Sequence, residues 1–227
     1  MRKSLLIILP ALLFISVLAQ TKPAADRSWI SEFQVDKSDL TTIGRNPYFI
    51  LEPGYSLTLE RGAERLRVTV LDETRVIDGV ETRIVEERET KNNQLVEISR
   101  NYFSISRRTR DVYYFGEDVD IYTAGKIVSH EGAWQAGMNG ARFGLMMPGS
   151  PVMGQRFYQE FAPRVAMDRA EVVALSGNLK TPAGNFNQVL KIIETNPLER
   201  GSEAKYYASG VGLLQDGSLK LVKYGKI

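Results

Sequence analysis

Leu66-Arg67-Val68-Thr69-Val70 sets three apolar side chains on alternate positions, with Arg65, Arg67 and Thr69 between them. A period of two is that of a strand with one buried and one wet face. Asp78-Gly79 then predicts a tight hairpin, because both central residues of a type I′ turn need positive φ. Val80 to Thr90 continues as a strand so rich in charge that one of its faces must be wet. Lys91-Asn92-Asn93 reads as the next turn, and Gln94 to Ile105 and Val112 to Phe115 complete a four-strand meander. No segment here repeats apolar residues at helical spacing over three turns. The predicted fold is mainly β: an antiparallel curved sheet or open barrel, with little helix beyond an N-terminal signal.

Working outward, Tyr55-Ser56-Leu57-Thr58-Leu59 alternates in the same way behind Asn46-Pro47 and Pro53-Gly54. Gln155 to Phe161, Ala170 to Leu175, Val189 to Glu194, Ala204 to Ala208 and Leu219 to Tyr224 read as further strands. This return resembles an internal repeat. Gly54, Val68, Gly79 and Asn101 correspond to Gly154, Val172, Gly184 and Lys205 at offsets of 100 to 105 residues. The expected organisation is a signal peptide over 1–19, a polar linker over 20–45 and one β domain over 46–227. Within that domain the similar meanders run from about 46 to 120 and 150 to 227, joined by a crossover over 121–149. Trp29, Ile30 and Phe33 offer a short amphipathic turn that either packs on the body or belongs to the linker.

The N-terminus decides the compartment expected. Arg2 and Lys3 precede an apolar run from Leu5 to Leu18, and Val17-Leu18-Ala19 suits a signal peptidase. That run is short of the roughly 20 residues a membrane helix needs. Export to the periplasm or the exterior is expected, with no stable membrane anchor after cleavage. The chain contains no cysteine, which excludes a lipid-modified cysteine anchor, disulfides, thiolate metal sites and cysteine nucleophiles. The formal charge of +2 vanishes once Arg2 and Lys3 are removed, leaving 27 bases against 27 acids. Such a chain exerts no general pull on nucleic acid or anionic lipid, so no nucleic-acid partner is expected.

The chemistry concentrates between Val112 and Glu171, which holds the single histidine, one of two tryptophans and five of six methionines. Glu117, Asp118 and Asp120 follow an aromatic strand, and could hold a hard cation through oxygen ligands. Their spacing is not that of an EF-hand loop, and an acidic turn facing water is the simpler reading. His130 beside Glu131 and Trp134 lacks a sequence neighbour able to orient it, so a hydrogen-bonded histidine at a strand end is preferred to a triad. Met138, Met146, Met147, Met153 and Met167 lack the short repeated spacing of a soft-metal site and read as fillers of apolar gaps. No metal or cofactor is expected.

Glu160, Asp168 and Glu171, with Glu117, could supply the paired carboxylates of a glycosidase. The aromatic supply, Tyr114, Trp134 and Tyr158 included, reads as core or as the wall of a groove. The candidate ligand-binding set is therefore Tyr114, Glu117, Asp118, Asp120, His130, Trp134, Tyr158, Glu160, Asp168 and Glu171. No catalytic motif is recognisable. The function expected is binding of a small apolar or glycan ligand in a groove of the curved sheet. The alternatives are a carboxylate-based glycan hydrolase, needing two of Glu117, Asp118, Glu131, Glu160, Asp168 and Glu171 in one cleft, and an envelope assembly component. Nothing in the sequence fixes the oligomeric state.

Tyr114-Phe115-Gly116-Glu117-Asp118-Val119-Asp120-Ile121-Tyr122, Gly132-Ala133-Trp134 and Tyr158-Gln159-Glu160 together resemble a family of exported bacterial β-proteins of uncharacterised activity. Ala166-Met167-Asp168-Arg169-Ala170-Glu171 and Tyr206-Tyr207-Ala208-Ser209-Gly210-Val211-Gly212-Leu213 extend the resemblance over nearly all of the chain after Asn46. It implies an exported β-protein and brings no catalytic residue with it. The architecture is also similar to the open barrels of periplasmic lipoprotein carriers, a likeness of fold that transfers no function.

Overall fold

The computed structural model describes residues 28–227; the signal peptide expected over 1–19 lies outside them. Thirteen strands form the main path of one antiparallel sheet. In chain order they are β1 (Tyr55–Arg61), β2 (Glu64–Ile77), β3 (Val80–Lys91), β4 (Gln94–Ser106), β5 (Val112–Thr123), β6 (Arg142–Met147) and β7 (Arg156–Tyr158). There follow β8 (Glu160–Phe161), β9 (Arg169–Ala174), β10 (Leu190–Thr195), β11 (Glu203–Ala208), β12 (Gly212–Asp216) and β13 (Leu219–Lys226). Helix among the described residues amounts to one 3-10 turn, Lys37–Asp39.

The spatial order is β7-β9-β10-β11-β12-β13-β1-β2-β3-β4-β5-β6-β8. The first and last members of this path are joined in the chain by Gln159 alone. A twisted sheet of this width curls until its ends meet, and here it is nearly closed into a barrel with one unsealed seam. The expected mainly-β, barrel-like architecture is what the chain adopts. The seam is crossed by the covalent chain, where Gln159 and Glu160 both donate their backbone N–H to the Asp168 carbonyl, at 2.8 and 3.1 Å.

Local chemistry explains the turns. Asp78 and Gly79 have φ of 49° and 74°, and Asn92 and Asn93 have 51° and 61°, so both hairpins carry residues tolerant of the left-handed region. A short hairpin, Asn178–Thr181 with Gly184–Asn187, prolongs the β9–β10 pair. Gly177 and Val189 exchange backbone hydrogen bonds of 3.1 and 2.9 Å at the junction. Gly184 thus stands at the tip of a long hairpin, as Gly79 does.

Two expectations about segments need correction. The described part of the polar linker, residues 28–45, is docked on the barrel. Ile30 accepts from Tyr158 N–H at 2.9 Å and donates to Arg156 O at 3.0 Å, and Leu40–Thr41 pairs with Ile105–Ser106 on β4. Trp29 covers the seam edge-on to Tyr158, under the guanidinium of Arg169. These few apolar residues gain burial and strand pairing that a free linker would forgo. The crossover over 121–149 is also largely sheet. β5 runs on to Thr123, Lys126–Ser129 folds back on it, Trp134–Gln135 pairs with Gly116–Glu117, and β6 joins the barrel.

Candidate functional site

The lumen contains a chamber of about 310 Å³ near the seam. Glu87 on β3, Glu97, Ser99 and Asn101 on β4, and Glu194 on β10 line it through ordinary alternation along their strands. β5 reaches it differently. Asn101 faces Glu117 and Phe103 faces Tyr114, so β5 carries one residue more than β4 between these pairs. This is a β-bulge at Phe115-Gly116. Without it Tyr114 and Glu117 would point to opposite faces; with it both line the chamber. Gly116 makes the bulge possible: its φ is 141°, and a Cβ there would lie 2.4 Å from the Trp134 carbonyl oxygen.

Gln159, Glu160 and Asp168 complete the wall. Gln159 Nε2 donates to Glu194 Oε1 at 2.9 Å, which ties the seam to β10. Tyr114 O–H donates to Asn101 Oδ1 in a short bond, and its ring stacks on Phe103 at 4.6 Å. Lys205 on β11 is the one cation lining the chamber among the described residues, and it is already held. Its Nζ lies 2.9 Å from Glu194 and 3.5 Å from Asp216. The chamber adjoins a smaller apolar pocket of about 80 Å³ floored by Leu57, Val68, Val70 and Val85. Phe103, Met146, Glu87 and Lys205 line both.

Crowding carboxylates away from water raises their proton affinity. Burial, then the charges of Asp216 and Glu89, push Glu87 up to about 7 against the pull of Lys205. Burial pushes Glu117 up to about 8, although the neighbouring Tyr114 hydroxyl works the other way. Glu160 is raised well above the usual range by burial, Glu117 and Asp168. Asp168 is raised by burial and by Glu194. Burial opposes the charge on Lys205, but Glu194 and Asp216 hold its ammonium well above the ordinary value. The chamber is an acidic site that holds several protons near neutral pH.

Of the residues singled out from sequence, Tyr114, Glu117, Glu160 and Asp168 meet here. The other six do not. Asp118 and Trp134 line an outer cleft of about 440 Å³. There Asp118 accepts from Arg75 and Tyr102, both at 2.7 Å, and these bonds keep its carboxyl low in spite of burial. Asp120 pairs on the exposed surface with His130, Nδ1 to Oδ1 3.0 Å, and the same nitrogen lies 2.7 Å from the Val119 carbonyl. Among the described residues, no serine hydrogen-bonds that imidazole. Glu171 is paired with Arg156 at 2.7 Å, and Tyr158 packs against Trp29 and Phe161 over the seam. Glu131 is exposed.

Sequence reading missed Glu87, Glu97, Glu194 and Lys205. Glu87 belongs to the Val80–Thr90 strand whose charge predicts a wet face, and the space it faces is the chamber. Met138 and Met153 are exposed while Met147 is wholly buried, so the methionines do not converge. Among the described residues, no three Asp, Glu or His side chains come close enough together to hold a metal ion. No protein-family model, curated protein or solved structure matches the chain.

Proposed function

We propose that the protein is an exported binding module that takes a small ligand into the lumen of its barrel. The observation that carries this reading is the paired cavity: an acid-lined chamber opening onto an apolar pocket, with shared walls at Phe103 and Met146. Polar groups converging on a concave, partly apolar space are the usual form of a small-molecule site. A wholly apolar ligand would find only about 80 Å³ of matching wall. A ligand with a polar part, a glycan among them, uses the chamber as well.

Val165 tests this reading. It is 48% exposed and lines both the chamber and the outer cleft, so it stands at the mouth and outside the core. Val165→Trp should leave the fold intact and obstruct the lumen. Native mass spectrometry of protein recovered from the cell envelope should show a small ligand on the wild type and its loss from the variant. Equal loading of the two would defeat the proposal.

A second reading, carboxylate-based glycan hydrolysis, is favoured by one observation: Glu117, Glu160 and Asp168 line the same chamber. A protonated Glu160 would serve as the acid for a departing sugar oxygen, with an ionised neighbour as nucleophile or base. Release of sugar from a polysaccharide panel, lost in Glu160→Gln, would select this reading; binding without turnover would reject it.

A further inference from the structure

We propose that the chamber binds an aliphatic polyamine, with one ammonium at Glu160 and Glu117 and the methylene chain along Phe103 and Met146. This rests on the lumen-binding reading and narrows its ligand to one class. The first ground is Glu160 itself. It is 9% exposed, it lines the chamber, and no hydrogen bond or ion pair reaches its carboxyl among the described residues. Its carboxyl reaches the chamber with no protein donor engaged, so a ligand that enters can supply one.

The second ground is the balance of charge. Glu87, Glu97, Glu117, Glu160, Asp168 and Glu194 face one lysine, and Glu194 and Asp216 already engage it. An anion would be repelled. A sugar brings hydroxyl donors alone, whereas an ammonium brings three donors and a charge that draws the chamber acids into their ionised form. The third ground is spacing. The carboxyls are distributed around the wall and are not gathered about a point where a single ion could sit. Distributed negative charge is matched by distributed positive charge. The stretches between ammonium groups are apolar, and the shared wall at Phe103 and Met146 is apolar too. These observations point to charges separated by methylenes and not to one compact cation.

Isothermal titration calorimetry with spermidine tests the proposal, using the mature chain in physiological salt to screen binding to exposed acids. One saturable site is expected, weakened roughly tenfold or more in Glu160→Gln and in Glu117→Gln. Asp120→Asn, on the outer surface, should bind as the wild type does. Both neutral isosteres keep the side chain's size, and a melting curve on each variant verifies its fold. Equal affinity in wild type, Glu160→Gln and Glu117→Gln would place spermidine outside the chamber and overturn the proposal. If spermidine gives no heat while a neutral oligosaccharide binds and is lost in Val165→Trp, the amine class is overturned and lumen binding stands. If neither probe binds and no ligand accompanies the protein from the envelope, both fall.

Discussion

The protein should melt on the order of 10 °C higher at pH 5.5 than at pH 9. Glu117 holds its proton up to about pH 8 in the folded chain and to about 4.5 when unfolded. Below the unfolded value both states are protonated, and the folded state carries no penalty from this group. As pH rises the unfolded chain ionises first, and stability falls until the folded group also ionises near pH 8. Glu87, at about 7, adds a loss of the same sign over a narrower window. Together they remove about 3–5 kcal/mol between pH 5.5 and 9. Glu52, Glu64 and Asp118 have lowered values and stabilise in the opposite sense, being lost only as pH falls into the acid range. Lys205 stays charged throughout.

The groups facing Glu117 fix its share: Tyr114 on its own strand, Glu87 on β3, Glu97 on β4, and Asp168 and Glu160 at the seam. Glu117→Gln removes the titration. It should lower the slope, with Glu87 and Glu160 keeping a loss of the same sign, and should melt several degrees above the wild type at pH 9. Calorimetry over this range decides the matter. A melting temperature that rises toward pH 9, or a variant with an undiminished slope, would show that the chamber acids are solvated and the site is not as described.

How much of this was legible in the chain depends on the kind of information each residue carries. The meander was legible because Leu66, Val68 and Val70 keep strict alternation and Asp78-Gly79 and Asn92-Asn93 suit left-handed turns. Local patterns report local geometry. The chamber was only half legible. Tyr114 and Glu117 were both singled out, but alternation alone puts them on opposite faces, and only the bulge at Gly116 brings them together. A glycine in a strand hints at a bulge without revealing its phase. Asp118 and Asp120, adjacent and acidic, fall on the other side for the same reason. Glu87, Glu97 and Glu194 were passed over because charge on a strand signals water, and sequence does not distinguish bulk water from a lumen. Glu160 and Asp168 are brought to β5 by closure of the sheet, a long-range event that no local pattern encodes.

That closure turns on Gly144. On β6 it lies opposite Tyr114, with the seam-crossing chain on its other side. A Cβ there would stand 2.2 Å from the Gln159 carbonyl oxygen, 2.4 Å from its carbon and 2.8 Å from the Tyr158 oxygen. All three are backbone atoms, so no side-chain rotation relieves the clash. Gly144→Ala must push Gln159 off β6 and so lengthen the path between β7 and β8. The bonds from Gln159 and Glu160 to Asp168 O then weaken, and Phe157, wholly buried at the seam, loses its cover. A loss of about 3 kcal/mol or more is expected, a drop in melting temperature on the order of 10 °C. Gly177→Ala is the matched control, since its Cβ would meet Val189 at 3.5 Å, an ordinary contact; it should cost well under about 1 kcal/mol. Urea titration of the two variants separates the outcomes. A Gly144→Ala midpoint close to that of Gly177→Ala would mean that the chain does not pass so tightly over β6. Carboxyls from β5 and β8 would then not be held in a common wall, and the chamber would lose the closure on which its protonation and any ligand depend.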